Sequence, residues 1–226
     1  MKELIEILEV LMSEISKRIL TSFLLLSLFL VALLNNYLLF LILLLCLYQI
    51  FYEFFTLLNK IFNNKYKVYF LLSLLIILFL LFYIFAFFSY SMILGNDKDK
   101  TFLLLLITIS ILSDVGGYIF GKIFKGKKLS KISPNKTISG MLGAYFLSFI
   151  IVILTFKSFV QIKTLLAIIF LVSTISQFGD LFISYLKRKS KLKDTGKLLP
   201  GHGGLLDRFD GLIFAILLGS IIKIFI

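Results

Sequence analysis

Apolar runs separated by short polar interruptions leave this chain little choice of fold. They fall at about 19–34, 37–52, 68–88, 101–119, 138–155, 162–180 and 210–226. A helix needs about 20 mostly apolar residues to cross the roughly 30 Å hydrocarbon core of a bilayer. Inside that core each backbone N–H and C=O must find its partner within the segment, which favours helices. Composition agrees: 60% of the 226 residues are hydrophobic, against about 45–50% in soluble domains, and mean hydropathy is +1.05. The expected fold is all-α, a polytopic membrane protein of about seven transmembrane helices. The first two runs are short, because sixteen helical residues reach only about 24 Å. Joined by Asn35 and Asn36, they are expected to form either a tight hairpin that thins the bilayer or a re-entrant pair, which would leave the same topology downstream.

Ahead of these runs, residues 1–18 place Leu4, Ile7, Leu8, Leu11 and Ile15 at helical spacing against Lys2, Glu3, Glu6, Glu9 and Glu14. An amphipathic helix at the cytoplasmic interface is expected, too acidic for a secretory signal. The chain thus divides into an interfacial helix, 1–18, and one transmembrane domain, 19–226. Cys46 is single and sits within an apolar run, so neither a disulfide framework nor a thiolate metal site is expected.

Charge orients the runs. With the N-terminus inside, the cytoplasmic segments carry Lys2, Lys17 and Arg18, then Lys60, Lys65 and Lys67, then the lysines from Lys122 to Lys136, then the basic residues from Lys187 to Arg208. The outer loops hold only Lys98, Lys100, Lys157 and Lys163, the first two offset by Asp97 and Asp99. This positive-inside bias places loops 121–137 and 181–209 on the cytosolic face. The net charge of +12 therefore reads as membrane-surface and nucleotide attraction, with no nucleic-acid partner.

The second of those loops concentrates the chemistry. Asp207 and Asp210 are three apart and share a face if the run after Leu205 is helical, while Asp180 closes the preceding run. Such carboxylates suit Mg2+, which takes one or two of them and completes its shell with water and substrate phosphates. Lysines beside them would face the phosphates. Pro200, Gly201, Gly203 and Gly204 bracket His202, and the glycines let backbone N–H groups approach a bound anion closely.

A second polar block runs from Ser113 to Gly140. Asp114 lies within an apolar run, where a charge costs about 2.5–3.5 kcal/mol and marks a candidate for function. It needs a partner or a metal. Gly116, Gly117 and Gly121 read first as a small-residue helix interface. Ser133–Pro134 is expected to start a helix just ahead of Lys136 and Thr137, so that free N–H groups, a hydroxyl and an ammonium together make an anion site.

Ser184 to Asp210, SYLKRKSKLKDTGKLLPGHGGLLDRFD, resembles the signature of the phosphatidate cytidylyltransferases, the CDP-diacylglycerol synthases. It has the Ser, the Lys-Arg pair, the Lys-Asp pair, PGHGG and DRxD. The S-P-x-K-T element at Ser133–Thr137 and the upstream Asp114 with Gly and Tyr extend the resemblance over about 113–211; the N-terminal third matches in character alone. Three positions depart from the family's usual pattern: Ser139 and Ile183 stand where an acid is common, and Gly211 where a serine is common.

The resemblance implies a Mg2+-dependent nucleotidyltransferase that moves CMP from CTP to phosphatidic acid, yielding CDP-diacylglycerol and pyrophosphate for phospholipid biosynthesis. It implies Asp180, Asp207 and Asp210 as metal ligands, with Asp114 a further candidate, and it leaves room for a second cation. Lys136, Lys187 and Arg208 would meet phosphates, and Asp194 would orient a lysine. Ser133, Thr137, Arg188, Lys193, His202, Gly203 and Gly204 complete the substrate contacts. The site would lie on the cytosolic face of a bacterial-type cytoplasmic membrane, among membrane lipids; a homodimer is compatible with the sequence but not specified by it. Two alternatives stand beside this reading: a CTP-dependent lipid-alcohol kinase, which would use the γ-phosphate, and a non-enzymatic transporter, which gives no reason for HGG and DRxD.

Overall fold

The computed structural model describes residues 35–62, 67–130, 132–196, 198 and 203–225, together with the single positions Ser16, Phe23, Ser27 and Val31. The helix expected over 1–18 and the run expected over 19–34 lie, those four positions aside, outside the described residues. Among the described residues the chain is almost all helical, with an isolated antiparallel bridge, Lys128 to Thr137, and no strand.

Among the residues described continuously, six long helices follow in order: α1 Asn36–Phe62, α2 Lys67–Ser89, α3 Asp97–Phe124, α4 Ile138–Phe156, α5 Ile162–Lys189 and α6 Leu206–Ile222. A π-helical turn, Tyr90–Leu94, continues α2. The first five are long and apolar enough to cross a membrane.

Several helices outrun their apolar cores. α1 was expected to end at residue 52 but continues through Glu53 to Phe62, about 40 Å in all, so a short second member of a bilayer-thinning hairpin is not what forms. Asn35 stands ahead of it as a cap, its side-chain oxygen accepting from the N–H of Tyr37 at 2.9 Å. α5 runs two turns past Asp180, which puts Lys187 and Arg188 on a helix rather than in the expected loop 181–209. Polarity marks where a helix leaves hydrocarbon; only a lost cap or a broken backbone bond ends it.

Two apolar cores share α5. One gathers Leu105, Leu106 and Ile109 of α3 with Val152 of α4, Leu165, Ile169 and Val172 of α5 and Ala215 of α6. The other joins Ile50, Phe54 and Leu57 of α1 to Leu81 of α2, Ile183 and Leu186 of α5, and Leu205 and Leu206. Buried hydroxyls stitch α3 to α5 between them, Ser110 to Ser176 at 3.0 Å and Ser113 to Ser173 at 3.1 Å. The most extensive helix pair is α3 with α4. There a Cβ on Gly116 would lie 2.6 Å from the Gly143 carbonyl oxygen, so the small-residue reading of Gly116 accounts for its place. At the far end Lys223 pairs with Asp99 at 2.5 Å and lies over the rings of Phe87 and Tyr90.

Candidate active site

Between α3 and α4 the chain turns back on itself. Leu129 N–H donates to Lys136 O at 2.8 Å, Ile138 N–H to Lys127 O at 3.0 Å, and Lys136 N–H to Ser133 O at 3.1 Å. Ser133–Pro134 therefore makes the tip of a small hairpin and does not start the helix. That role falls to Thr137, whose hydroxyl caps α4 by accepting from Gly140 N–H at 3.1 Å. Ser139, standing where an acid is common, donates from its hydroxyl to Lys125 O at 3.0 Å and ties the hairpin's entrance.

This hairpin delivers Lys136 to α5, where its ammonium pairs with Asp180. The two polar blocks, far apart in sequence, thus meet in one place. A cavity of about 290 Å³ opens there, lined by Ser113, Asp114 and Tyr118 of α3, Ser133, Lys136 and Thr137 of the hairpin, and Gln177 and Asp180 of α5, among others. Asp210, from α6, faces Asp180, and Asp114 lies within electrostatic reach of both. Beside the cavity, Arg188 and Lys189 line a second hollow with Tyr185, Ile132 and Pro134.

Asp114, Asp180 and Asp210 set three carboxyls against one lysine. That surplus of negative charge fits a divalent cation, and two carboxylates on facing helices match the way Mg2+ is usually shared with phosphates. Among the described residues, however, no group of three or more His, Cys, Asp or Glu side chains converges closely enough to cage a metal. A cation here would take Asp180 and Asp210 first and need oxygens from a substrate.

Asp207 sits apart from that cavity. Its Oδ1 accepts from Lys187 Nζ at 2.6 Å, and its Oδ2 accepts from Thr195 N–H at 2.8 Å and Gly204 N–H at 3.1 Å, with the Thr195 hydroxyl at 3.0 Å. Burial pushes the Asp207 carboxyl up, but the Lys187 ammonium and the Thr195 and Gly204 N–H groups outweigh it and hold it below the usual carboxylate range. α5 and α6 run antiparallel here, so Lys187 meets Asp207 while Asp180 meets Asp210. The two aspartates of DRxD thus face different neighbourhoods. Arg188, Lys193, Asp194 and Arg208 are exposed around the 190–205 loop. Gly203 turns with φ +86°. His202, with Pro200 and Gly201, lies outside the described residues.

Glu53 is the residue that the sequence reading passes over. It is 1% exposed and both its oxygens are engaged: Oε1 accepts from Gln49 Nε2 at 2.9 Å and Leu205 N–H at 2.9 Å, Oε2 from the Thr195 hydroxyl at 2.5 Å and Leu206 N–H at 2.9 Å. A signal existed, since Glu53 is the single acid between Glu14 and Asp97 and an isolated acid among apolar residues is suspect wherever it falls.

Fold and site together define a helical protein with several helices able to span a membrane and a cavity in which Lys136 and the carboxyls of Asp114 and Asp180 come together. The chain belongs to the cytidylyltransferase family, whose sequence profile matches residues 1–225. It is similar to proteins named phosphatidate cytidylyltransferase from Staphylococcus aureus strain COL, 42% identical over 127 residues, and from Staphylococcus haemolyticus, 43% identical over 127 residues. Each match takes in 54% of this chain and 49% of the relative, so the aligned part spans about half the length of those relatives.

Proposed function

We propose that this chain transfers the cytidylyl group of CTP to phosphatidic acid, giving CDP-diacylglycerol and pyrophosphate. The observation that carries the reading is the meeting of Lys136 with Asp180, which turns two separate polar blocks into one cavity facing Asp210. Family membership and the printed names of the relatives support the same substrate pair.

The reaction makes modest demands on side chains. An oxygen of the phosphatidate phosphate bonds to the α-phosphorus of CTP as the bond from that phosphorus to the α–β bridging oxygen breaks, and the electron pair leaves with pyrophosphate. No protein nucleophile is needed, so catalysis rests on alignment and on neutralising charge. Lys136, already beside Asp180, would contact the triphosphate. Arg188 and Lys189, next to the cavity on the last turn of α5, would receive the second anion. Asp180 and Asp210 would hold Mg2+, with Asp114 adjacent; when bound, the cation would neutralise charge on the phosphates and the departing pyrophosphate. Lys187, engaged by Asp207, would fix the loop that follows α5.

We also place the hairpin 125–137 and the loop 190–205 in the cytosol, in a seven-span topology within a bacterial-type cytoplasmic membrane. The basic asymmetry of the loops supports this orientation. The test of function is turnover by the purified protein with cytidine-labelled CTP and phosphatidic acid. The expected outcome is a lipid of the mass of CDP-diacylglycerol with one pyrophosphate released per lipid. Release of CDP with a phosphorylated lipid would make it a kinase, and no lipid product at all would overturn the assignment.

A further inference from the structure

Among the buried polar groups, Glu53 stands out because it is fully occupied yet contributes nothing directly to the cavity. Its four donors come from three parts of the chain: Gln49 one turn before it, Thr195 in the loop after α5, and Leu205 and Leu206 at the start of α6. α6 has no side-chain cap of its own, since Leu205 occupies that position. Glu53 therefore caps α6 from a different helix, satisfying two N–H groups that the first turn leaves without partners. Gly204 is shaped by the same contact: a Cβ there would collide with the Glu53 carboxylate and the Thr195 hydroxyl.

From Glu53 the contact passes on. The Thr195 hydroxyl, with a single proton, sits between Glu53 Oε2 at 2.5 Å and Asp207 Oδ2 at 3.0 Å. Asp207 in turn holds Lys187 of α5. One turn further along α6, Asp210 faces Asp180. A carboxylate on α1 thereby holds Thr195 and the start of α6, the helix that carries Asp210.

We infer that Glu53 is a positioning residue for cytidylyl transfer, acting through the loop and the first turn of α6 and touching neither substrate. The inference rests on the reaction proposed above. Because the clasped loop carries the glycines expected at the nucleotide, loss of the clasp raises KM for CTP and lowers kcat, while KM for phosphatidic acid stays within about twofold of wild type.

Glu53→Gln is the informative change. Glutamine keeps the volume but offers one oxygen, and its NH2 group faces a backbone N–H that also donates. In the full-length protein, kcat/KM for CTP falls at least tenfold. Amide exchange rises at 195 and 204–206 and stays unchanged in the α3 and α5 core around Ile109 and Ile169. Thr195→Val removes the bridging hydroxyl while leaving Glu53 its backbone donors, and gives a smaller change of the same pattern should Glu53→Gln not accumulate in the membrane. Exchange at 204–206 equal to wild type, kcat/KM within twofold, or an equal rise in KM for both substrates would each overturn the inference. If wild-type protein fails to make CDP-diacylglycerol, the reaction assignment fails, and the exchange measurement still reports on the clasp by itself.

Discussion

At Lys136 one ammonium is asked to answer for a whole cavity. Replacing it with alanine removes a charge-assisted contact worth about 1.5–3 kcal/mol, and kcat/KM for CTP is expected to fall roughly ten- to a hundredfold. Arginine rescues only in part, since its planar fork does not reproduce a compact point charge. Five other lysines lie between Lys122 and Lys131, so an alanine variant equal to wild type would reduce Lys136 to a topological charge. The two acids of DRxD should separate under the same treatment. Asp210→Asn is expected to abolish turnover with thermal unfolding in detergent close to wild type. Asp207→Asn keeps one oxygen and sets its NH2 group against either the Lys187 ammonium or the Thr195 and Gly204 N–H groups, and it should lower stability by about 1–3 kcal/mol as well as activity. Two departures from the family pattern also acquire a reason at this scale. Ile183 is fully buried in the α1–α2–α5 core, where an acid would lack a partner, and Gly211 lies where a Cβ would come 2.5 Å from the Ser176 hydroxyl.

Between elements, the decisive distances are those that glycine permits. Gly116→Leu would force α3 from α4 by overlap with the Gly143 backbone, and overpacking of this kind costs about 1–3 kcal/mol; a lowered midpoint of thermal unfolding checks it, and an unchanged midpoint would mean the helices already part freely. Most of the helices were legible from their apolar runs, because hydrophobicity reports where a segment meets lipid. Their ends were not, because Lys187 or Phe62 can stay helical in water as readily as Leu in hydrocarbon. The meeting of Lys136 with Asp180 follows from α4 and α5 forming an antiparallel pair between them. The start of α4 was misplaced by the familiar Ser-Pro signal: Thr137 holds the capping position, and the hairpin that displaces Ser133 depends on pairing across 127–138 that no local pattern announces. Glu53 escaped notice for a related reason, three of its four donors lying 142 to 153 residues away.

For the molecule as a whole, sidedness is the first thing to test. In a Cys46→Ser background, Lys193→Cys should react with an impermeant maleimide only after the cytosolic face is opened, and Lys157→Cys should react from outside intact cells. Labelling of position 193 from outside would invert the topology. The long reach of the Glu53 contacts also sets an order of events during synthesis. α1 leaves the ribosome with Gln49 as the sole donor to its carboxylate, and Thr195 follows 142 residues later, a delay on the order of ten seconds at ordinary elongation rates. Through that interval Glu53 lacks three of its four donors. The contact that seats the first turn of α6 can therefore close only after the chain has been made through Leu206.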